Sequence, residues 1–207
     1  MSSKIFRNWR KAVSVLLTLC LVITLLPINS VVNSASDTVI VYHEDFANGQ
    51  GAAVQSGSAK LTLVDGMSFE GNDDGKALYV DNRANDWDGV DFNFSDVGML
   101  NGKTYTITVK GFVDADADVP EGSQVWLQGV DGYTWITSVD ITAGKAFTAI
   151  GTYTVDTSKD RAVRVKSNET GAAVPFYIGS VLITTVDSGE QPEDPPRDPA
   201  IPFETIT

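Results

Sequence analysis

In Thr104-Tyr105-Thr106-Ile107-Thr108-Val109, bulky apolar side chains alternate strictly with threonines. A strand turns successive side chains to opposite faces, so Tyr105, Ile107 and Val109 share one side and the threonines the other. A helix would scatter the same residues around its axis and bury no common face. The pattern recurs: segments 39–43, 60–64, 76–82, 89–94, 104–113, 124–130, 133–140, 147–155, 162–167 and 175–186 all read as strands. Turn-forming pairs punctuate them, among them Asp65-Gly66, Asp74-Gly75, Asn101-Gly102, Asp131-Gly132 and Ala143-Gly144. No convincing helical periodicity appears after the first thirty-odd residues. Many short strands with Gly, Asn and Asp between them specify an all-β fold, an antiparallel β-sandwich of jelly-roll type.

The two ends have a different composition. Lys4, Arg7, Arg10 and Lys11 precede an apolar run over 12–28, and small and polar residues fill 30–36. That order is the pattern of a secretory signal peptide, here 1–36, with cleavage near 34–36. The rival is a retained anchor. The run is near the lower length limit for a span, and Pro27 with the Ser/Ala-rich exit favours cleavage. Leu19 before Cys20 is too bulky for a lipoprotein signal. Cleavage removes four of the 15 Lys and Arg and none of the 27 Asp and Glu, leaving 11 against 27, a net charge of −16. It also removes the single cysteine. An exported chain without disulfides needs a packed apolar core, which implies one domain over 37–186. The acidic balance argues against nucleic acid and anionic membrane surfaces, and fits a secreted monomer with a neutral or basic partner. Residues 187–202 are acidic and carry Pro192, Pro195, Pro196, Pro199 and Pro202, an extended linker. Residues 202–207 read as the first strand of a further module.

The inventory for catalysis is thin. The one histidine, His43, lies in the first strand with no serine or aspartate at a recognisable spacing, so a structural or surface place is expected. A zinc-type His/Cys cluster is excluded by count. Carboxylates are numerous enough for a glycosidase pair, but none sits in a recognisable motif, and about 150 residues is small for a polysaccharide hydrolase. Asp114, Asp116 and Asp118 open like an EF-hand loop, yet Val119 and Val125 stand where that loop needs Gly and Glu. A solvated loop is the expectation there.

The aromatics carry more. On Gln124-Val125-Trp126-Leu127-Gln128, Val125 and Leu127 face one way and Gln124, Trp126 and Gln128 the other. An aromatic ring beside amides suits a sugar: the C–H face of a pyranose packs on the ring and amides pair with hydroxyls. Tyr133 and Trp135 follow on the next strand. The alternative, rings packed in the core, stays open for Trp126. Trp87 sits in a turn of Asn, Asp and Gly after the strand at 76–82, where a large ring cannot easily reach a core and is better used as a stacking surface.

Three segments in this order, Tyr42-His43-Glu44-Asp45-Phe46, Leu78-Tyr79-Val80-Asp81-Asn82-Arg83-Ala84-Asn85-Asp86-Trp87-Asp88-Gly89 and Phe176-Tyr177-Ile178, resemble the family 22 carbohydrate-binding modules. Gly102-Lys103-Thr104-Tyr105 and Leu127-Gln128-Gly129-Val130-Asp131-Gly132 fit as well, so the resemblance covers about 38–186. It implies a jelly roll with a xylan-binding cleft on one concave face, a non-catalytic role, and attachment to a hydrolase such as a family 10 xylanase. Carried over, it assigns Trp87 and Tyr133 to the cleft and places Arg83 in its motif. The family's cleft arginine falls at Gln55, a cleft tyrosine at Lys166, and a glutamate at Asn168 or Glu169. The stacking platform is thus one ring smaller, and Lys166 offers a charge for glucuronic acid branches. The expected binding set is Trp87, Tyr133, Trp126, Gln128, Lys166, Asn168 and Arg83. The family's structural calcium would rest on Asp45 and Glu44, because Ala47 and Gly179 replace two expected acidic ligands. Two other readings fit the same residues: a sandwich spacer that has lost its ligand, and a small glycoside hydrolase.

Overall fold

The structure, a computed structural model, describes residues 37–167 and 174–186. Eleven strands form: β1 (Thr38–Glu44), β2 (Ala53–Ser56), β3 (Lys60–Val64), β4 (Ala77–Asp81), β5 (Gly89–Asn93), β6 (Thr104–Phe112), β7 (Gln124–Asp131), β8 (Trp135–Asp140), β9 (Ala146–Thr154), β10 (Asp160–Ser167) and β11 (Phe176–Val186). All ten expected strands are present. β2 is the addition: Ala53-Val54-Gln55-Ser56 has no apolar alternation, and it becomes a strand by pairing along β5 at a sheet edge. The segments 1–36 and 187–207, and Asn168 with Glu169, lie outside the described residues.

One sheet runs β3-β4-β11-β6-β9, with β1 also on β11; the other runs β2-β5-β10-β7-β8. Every pairing is antiparallel. Leu78, Val80, Ile107, Val109, Phe176 and Ile178 of the first sheet meet Val90, Phe92, Val125, Leu127, Val163 and Val165 of the second in one core. Burying each such side chain is worth about 1.5–3 kcal/mol, so the sandwich holds without a cross-link. Tyr105, Ile107 and Val109 are all buried and Thr104, Thr106 and Thr108 are not, as the alternation requires. Among the described residues no helix is long and apolar enough to cross a membrane.

The outer faces of the two sheets differ. On the first sheet, Tyr79 stacks on Tyr177 at 4.5 Å and Phe69 on Phe112 at 5.5 Å. Tyr177 donates to Asp114 at 2.8 Å, which ties the Asp-rich loop to the sheet; burial and that carboxylate push the phenol up. The segment before β4 folds onto this patch. Asn72 and Phe69 lie so close to Gly179 that a Cβ there would come within 2.7 Å of both. On the outer face of the second sheet Val54 and Trp135 are exposed, whereas Asp91, Gln128, Arg164 and Lys166 are buried.

Candidate functional site

Directly opposed residues of antiparallel strands point to the same side. Two rows therefore cross the outer face of the second sheet. One is Val54, Asp91, Arg164, Gln128 and Trp135; the other is Ser56, Gly89, Lys166, Trp126 and Ser138. Val125 and Leu127 are fully buried beneath them, so Trp126 belongs to this face and not to the core. It stays half-buried there, with Lys166 Nζ 5.4 Å from its ring centroid. Lys166 is itself buried, its charge set over the indole face.

The middle of the face is charged and largely self-neutralised. Arg164 donates to both carboxylate oxygens of Asp91, at 2.6 and 2.9 Å, and both residues are buried. Burial pushes the guanidinium down, but the hydrogen bonds and charge of Asp91 outweigh it and raise its pKa. Arg161 reaches Asp91 at 3.6 Å and Asp131 at 3.4 Å. Arg164 and Asp91 stand 73 residues apart, so neither the pair nor its geometry could be read from the sequence.

Exposed rings stand in the loops at the two ends of β10, on either side of this charged row. At one end is Tyr133, 65% exposed, in the β7–β8 turn. The turn is strained: Asp131 and Tyr133 both have positive φ, 94° and 55°. A buried carboxylate at the start of β10 holds it. Asp160 accepts from the Gly132 N–H at 3.0 Å, the Thr134 hydroxyl at 2.5 Å and the Tyr153 hydroxyl at 3.0 Å. Burial and the bond to Asp160 push Tyr153 up to about 12. Gly129 makes room, since a Cβ there would lie 2.3 Å from the Asp160 carboxylate. Gln128 adds a bond from its side-chain amide to the Tyr133 carbonyl at 3.2 Å.

At the other end is Trp87, 52% exposed, in the loop between β4 and β5. Asp88, fully buried, is its anchor. Asp88 Oδ2 accepts from the Ala84 and Asn85 N–H groups, both at 2.9 Å, and from the Ser58 hydroxyl at 2.5 Å. Burial pushes this carboxyl up, but those hydrogen bonds prevail and hold it at about 2. Gly57 is required beside it: a Cβ there would meet Asp88 Oδ1 at 1.7 Å. Arg83 completes the loop, donating to the Asp88 and Asp86 carbonyls and to Ser167 Oγ at the end of β10. Burial lowers Arg83 to about 10, which leaves it charged at neutral pH. Its donors are directed at the loop, so Arg83 sets the place of Trp87 from beneath.

The structure therefore brings Trp126, Gln128 and Lys166 onto one face and sets Trp87 and Tyr133 in the loops at the two ends of β10. Gln55 is not on that face: it pairs with Val90, whose side chain points to the core, and its amide bonds to the Gly57 carbonyl at 3.1 Å. Val54, 44% exposed, takes the outward position. Trp135, 61% exposed, is the large ring that the expected set leaves out. Exposed His43 pairs with Leu182 in the first sheet, away from this face.

Glu44 and Asp45, the expected calcium ligands, are engaged in local hydrogen bonds. Glu44 accepts from the Phe46 N–H at 2.8 Å and the Tyr42 hydroxyl at 3.2 Å, and Asp45 from the Ala47 N–H at 3.0 Å. Ala47 supplies no oxygen ligand from its side chain, and the space at Gly179 is filled by Asn72 and Phe69. Among the described residues no three His, Cys, Asp or Glu side chains gather to hold a metal.

No family model matches the sequence, and no curated protein matches it either. Solved structures do. The CBM22-1 xylan-binding domain of Paenibacillus barcinonensis Xyn10C superposes with a TM-score of 0.58 at 17% identity, over 75% of this chain and 99% of that one. The C-terminal family 22 carbohydrate-binding module of Clostridium thermocellum Xyn10B gives 0.56 at 22% identity, over 72% and 95%. The CBM22-1–GH10 modules of the same xylanase, complexed with xylohexaose, give 0.54 at 20%, covering 70% of this chain and 28% of theirs. The β-sandwich of this chain is the fold of the family 22 carbohydrate-binding modules, in agreement with the resemblance carried by Tyr42–Phe46, Leu78–Gly89 and Phe176–Ile178.

Proposed function

We propose that the chain is a secreted, non-catalytic module that binds xylan or a related β-1,4-linked plant cell-wall polysaccharide, and that it serves an attached glycoside hydrolase. The observation that carries the reading is the pair of exposed rings, Trp87 and Tyr133, held in loops tied to opposite ends of β10. Ser167, bonded by Arg83 of the Trp87 loop, and Asp160, which holds the Tyr133 turn, close the two ends of β10, roughly 20 Å apart at strand spacing, which suits an extended chain rather than a single sugar. Trp126 lies half-buried beneath Lys166 on the outer sheet face, between the two loops. The leader-like segment 1–36 supports export, and the Pro-rich segment 187–207 supports a further module.

The effect on an attached enzyme is proximity: tethering raises its local concentration at an insoluble polymer without breaking a bond. Asp91, the carboxylate at the centre of the face, has both oxygens engaged by Arg164, which is poor preparation for proton transfer. A ligand-free spacer is the rival, favoured by that same self-neutralised centre. Affinity electrophoresis in xylan gels separates the readings. Retardation of the wild type that is lost in Trp87→Ala supports the binding module. A wild type that runs unretarded at every xylan concentration leaves the spacer.

A further inference from the structure

We propose that Trp135 is an additional sugar-stacking residue that extends the cleft past Tyr133 to the β8 edge of the sheet. The inference rests on the carbohydrate-binding reading and deepens it, because it supplies a ring in place of the one missing at Lys166. The backbone carries the argument. β8 pairs Val139, Ser138 and Thr137 with Val125, Trp126 and Leu127 in simple register, and then shifts so that Trp135 opposes Gln128. Ile136 is the extra residue. Plain alternation from the outward Ser138 would turn Thr137 in, Ile136 out and Trp135 in. The bulge instead sends Ile136 and Thr137 to the same side, where a Cβ on Gly151 of β9 would meet both, at 2.6 and 3.0 Å. Ile136 is thereby buried, 7% exposed, and Trp135 is returned to the face that carries Gln128 and Trp126. Bulges that re-aim a side chain are a recurring device at binding sites.

The outward placement has a cost that the fold does not offset. β8 is an edge strand, and a bare tryptophan on an edge invites association. Among the described residues no aromatic ring or cation packs on the Trp135 indole. The ring also stands two residues from Tyr133, whose turn is held by Asp160 and by Gln128, the cross-strand partner of Trp135. Tyr133 and Trp135 thus form one aromatic end on a shared support, with the Trp87 loop at the other end of β10. A pyranose chain crossing the charged strip would meet rings at both ends.

The test uses the full chain and xylohexaose. Trp135→Ala is expected to weaken binding roughly five- to tenfold, with Trp135→Phe retaining most of the affinity and the thermal midpoint unmoved in both. Labelling with 5-fluorotryptophan gives one ¹⁹F resonance for each of the four tryptophans, and the one missing from Trp135→Phe should shift when xylohexaose is added. An unchanged affinity in Trp135→Ala, or a Trp135 resonance that stays still, overturns the proposal. If Trp87→Ala loses binding in the same series, the carbohydrate reading survives that failure. If the wild type binds no xylohexaose at all, both fall together.

Discussion

The loop that carries Trp87 and the turn that carries Tyr133 solve one problem in two ways. Each holds an exposed ring in a loop at one end of β10, and each hangs on one buried carboxylate. Asp88 draws its backbone donors from Ala84 and Asn85, four and three residues away, and adds the Ser58 hydroxyl. Asp160 reaches Gly132 and Thr134 from 28 and 26 residues further along the chain. The first loop thus takes its backbone donors from within itself, with Ser58 and the Arg83–Ser167 bond as its ties to the rest of the sandwich. The second exists only once β10 has docked beside β7. Strain follows the same division. In the Trp87 loop the positive-φ residue is Asn82, a type that tolerates it; in the Tyr133 turn it is a tyrosine and an aspartate. A locally built loop needs little tertiary support, whereas a strained turn has to be over-determined from elsewhere.

Removing the two anchors should separate them. Asp160→Ala strands the Gly132 N–H, the Thr134 hydroxyl and the buried Tyr153 hydroxyl together, and we expect a loss of about 3 kcal/mol in denaturant unfolding. Asp88→Ala frees donors in a loop that water can reach once it opens, and Arg83 still grips the Asp88 carbonyl, so about 1–2 kcal/mol is expected. Equal losses would break the contrast between a tertiary and a local anchor.

Acid offers a second handle on the Trp87 loop. The folded carboxyl of Asp88 lies at about 2, below its ordinary value of 3.8. A carboxyl depressed by folding adds stability that is fully present above about pH 4 and disappears as pH falls through about 2. The stability advantage of wild type over Asp88→Asn should be flat from neutral pH down to about 4 and shrink steadily below it. A difference independent of pH over that range would show that Asp88 is not held by its hydrogen bonds as a carboxylate.

The same local and long-range division explains what could be read in advance. Ten strands and the burial of Tyr105, Ile107 and Val109 follow from period-2 alternation, a signal confined to neighbouring residues. Trp87 was legible because an Asn, Asp and Gly turn is local. For Trp126, alternation sets it opposite Val125 and Leu127 but leaves open which side is the core, and only the burial of Val125 and Leu127 resolves that. Trp135 was seen but not assigned, since its orientation depends on a bulge set by pairing with β7. β2, the Arg164–Asp91 pair and the role of Asp160 were hidden for one reason: each is made by partners distant in sequence. Gln55 shows the hazard of carrying a family position onto such a strand, because its register points the side chain off the face.

The smallest expected effect is the sharpest probe of why the second turn is strained. Tyr133 has φ of 55°, a conformation glycine adopts freely and a tyrosine only at a cost. Its ring is 65% exposed, so the fold gains little from burying it. Tyr133→Gly should therefore raise stability slightly or leave it level, by about 0.5–1 kcal/mol at most, because relief of strain opposes the greater freedom of the unfolded chain. Tyr133→Ala keeps the strain and loses the ring, so it should be the less stable of the two. Both should lose affinity for xylan equally if the ring is what binds. A natural residue that is worse for stability than glycine at its own position, yet better for binding, is the signature of a turn kept under strain for its side chain. If Tyr133→Gly instead destabilises by more than Tyr133→Ala, the tyrosine is packing against the sheet, and the turn is no more specialised than the Trp87 loop.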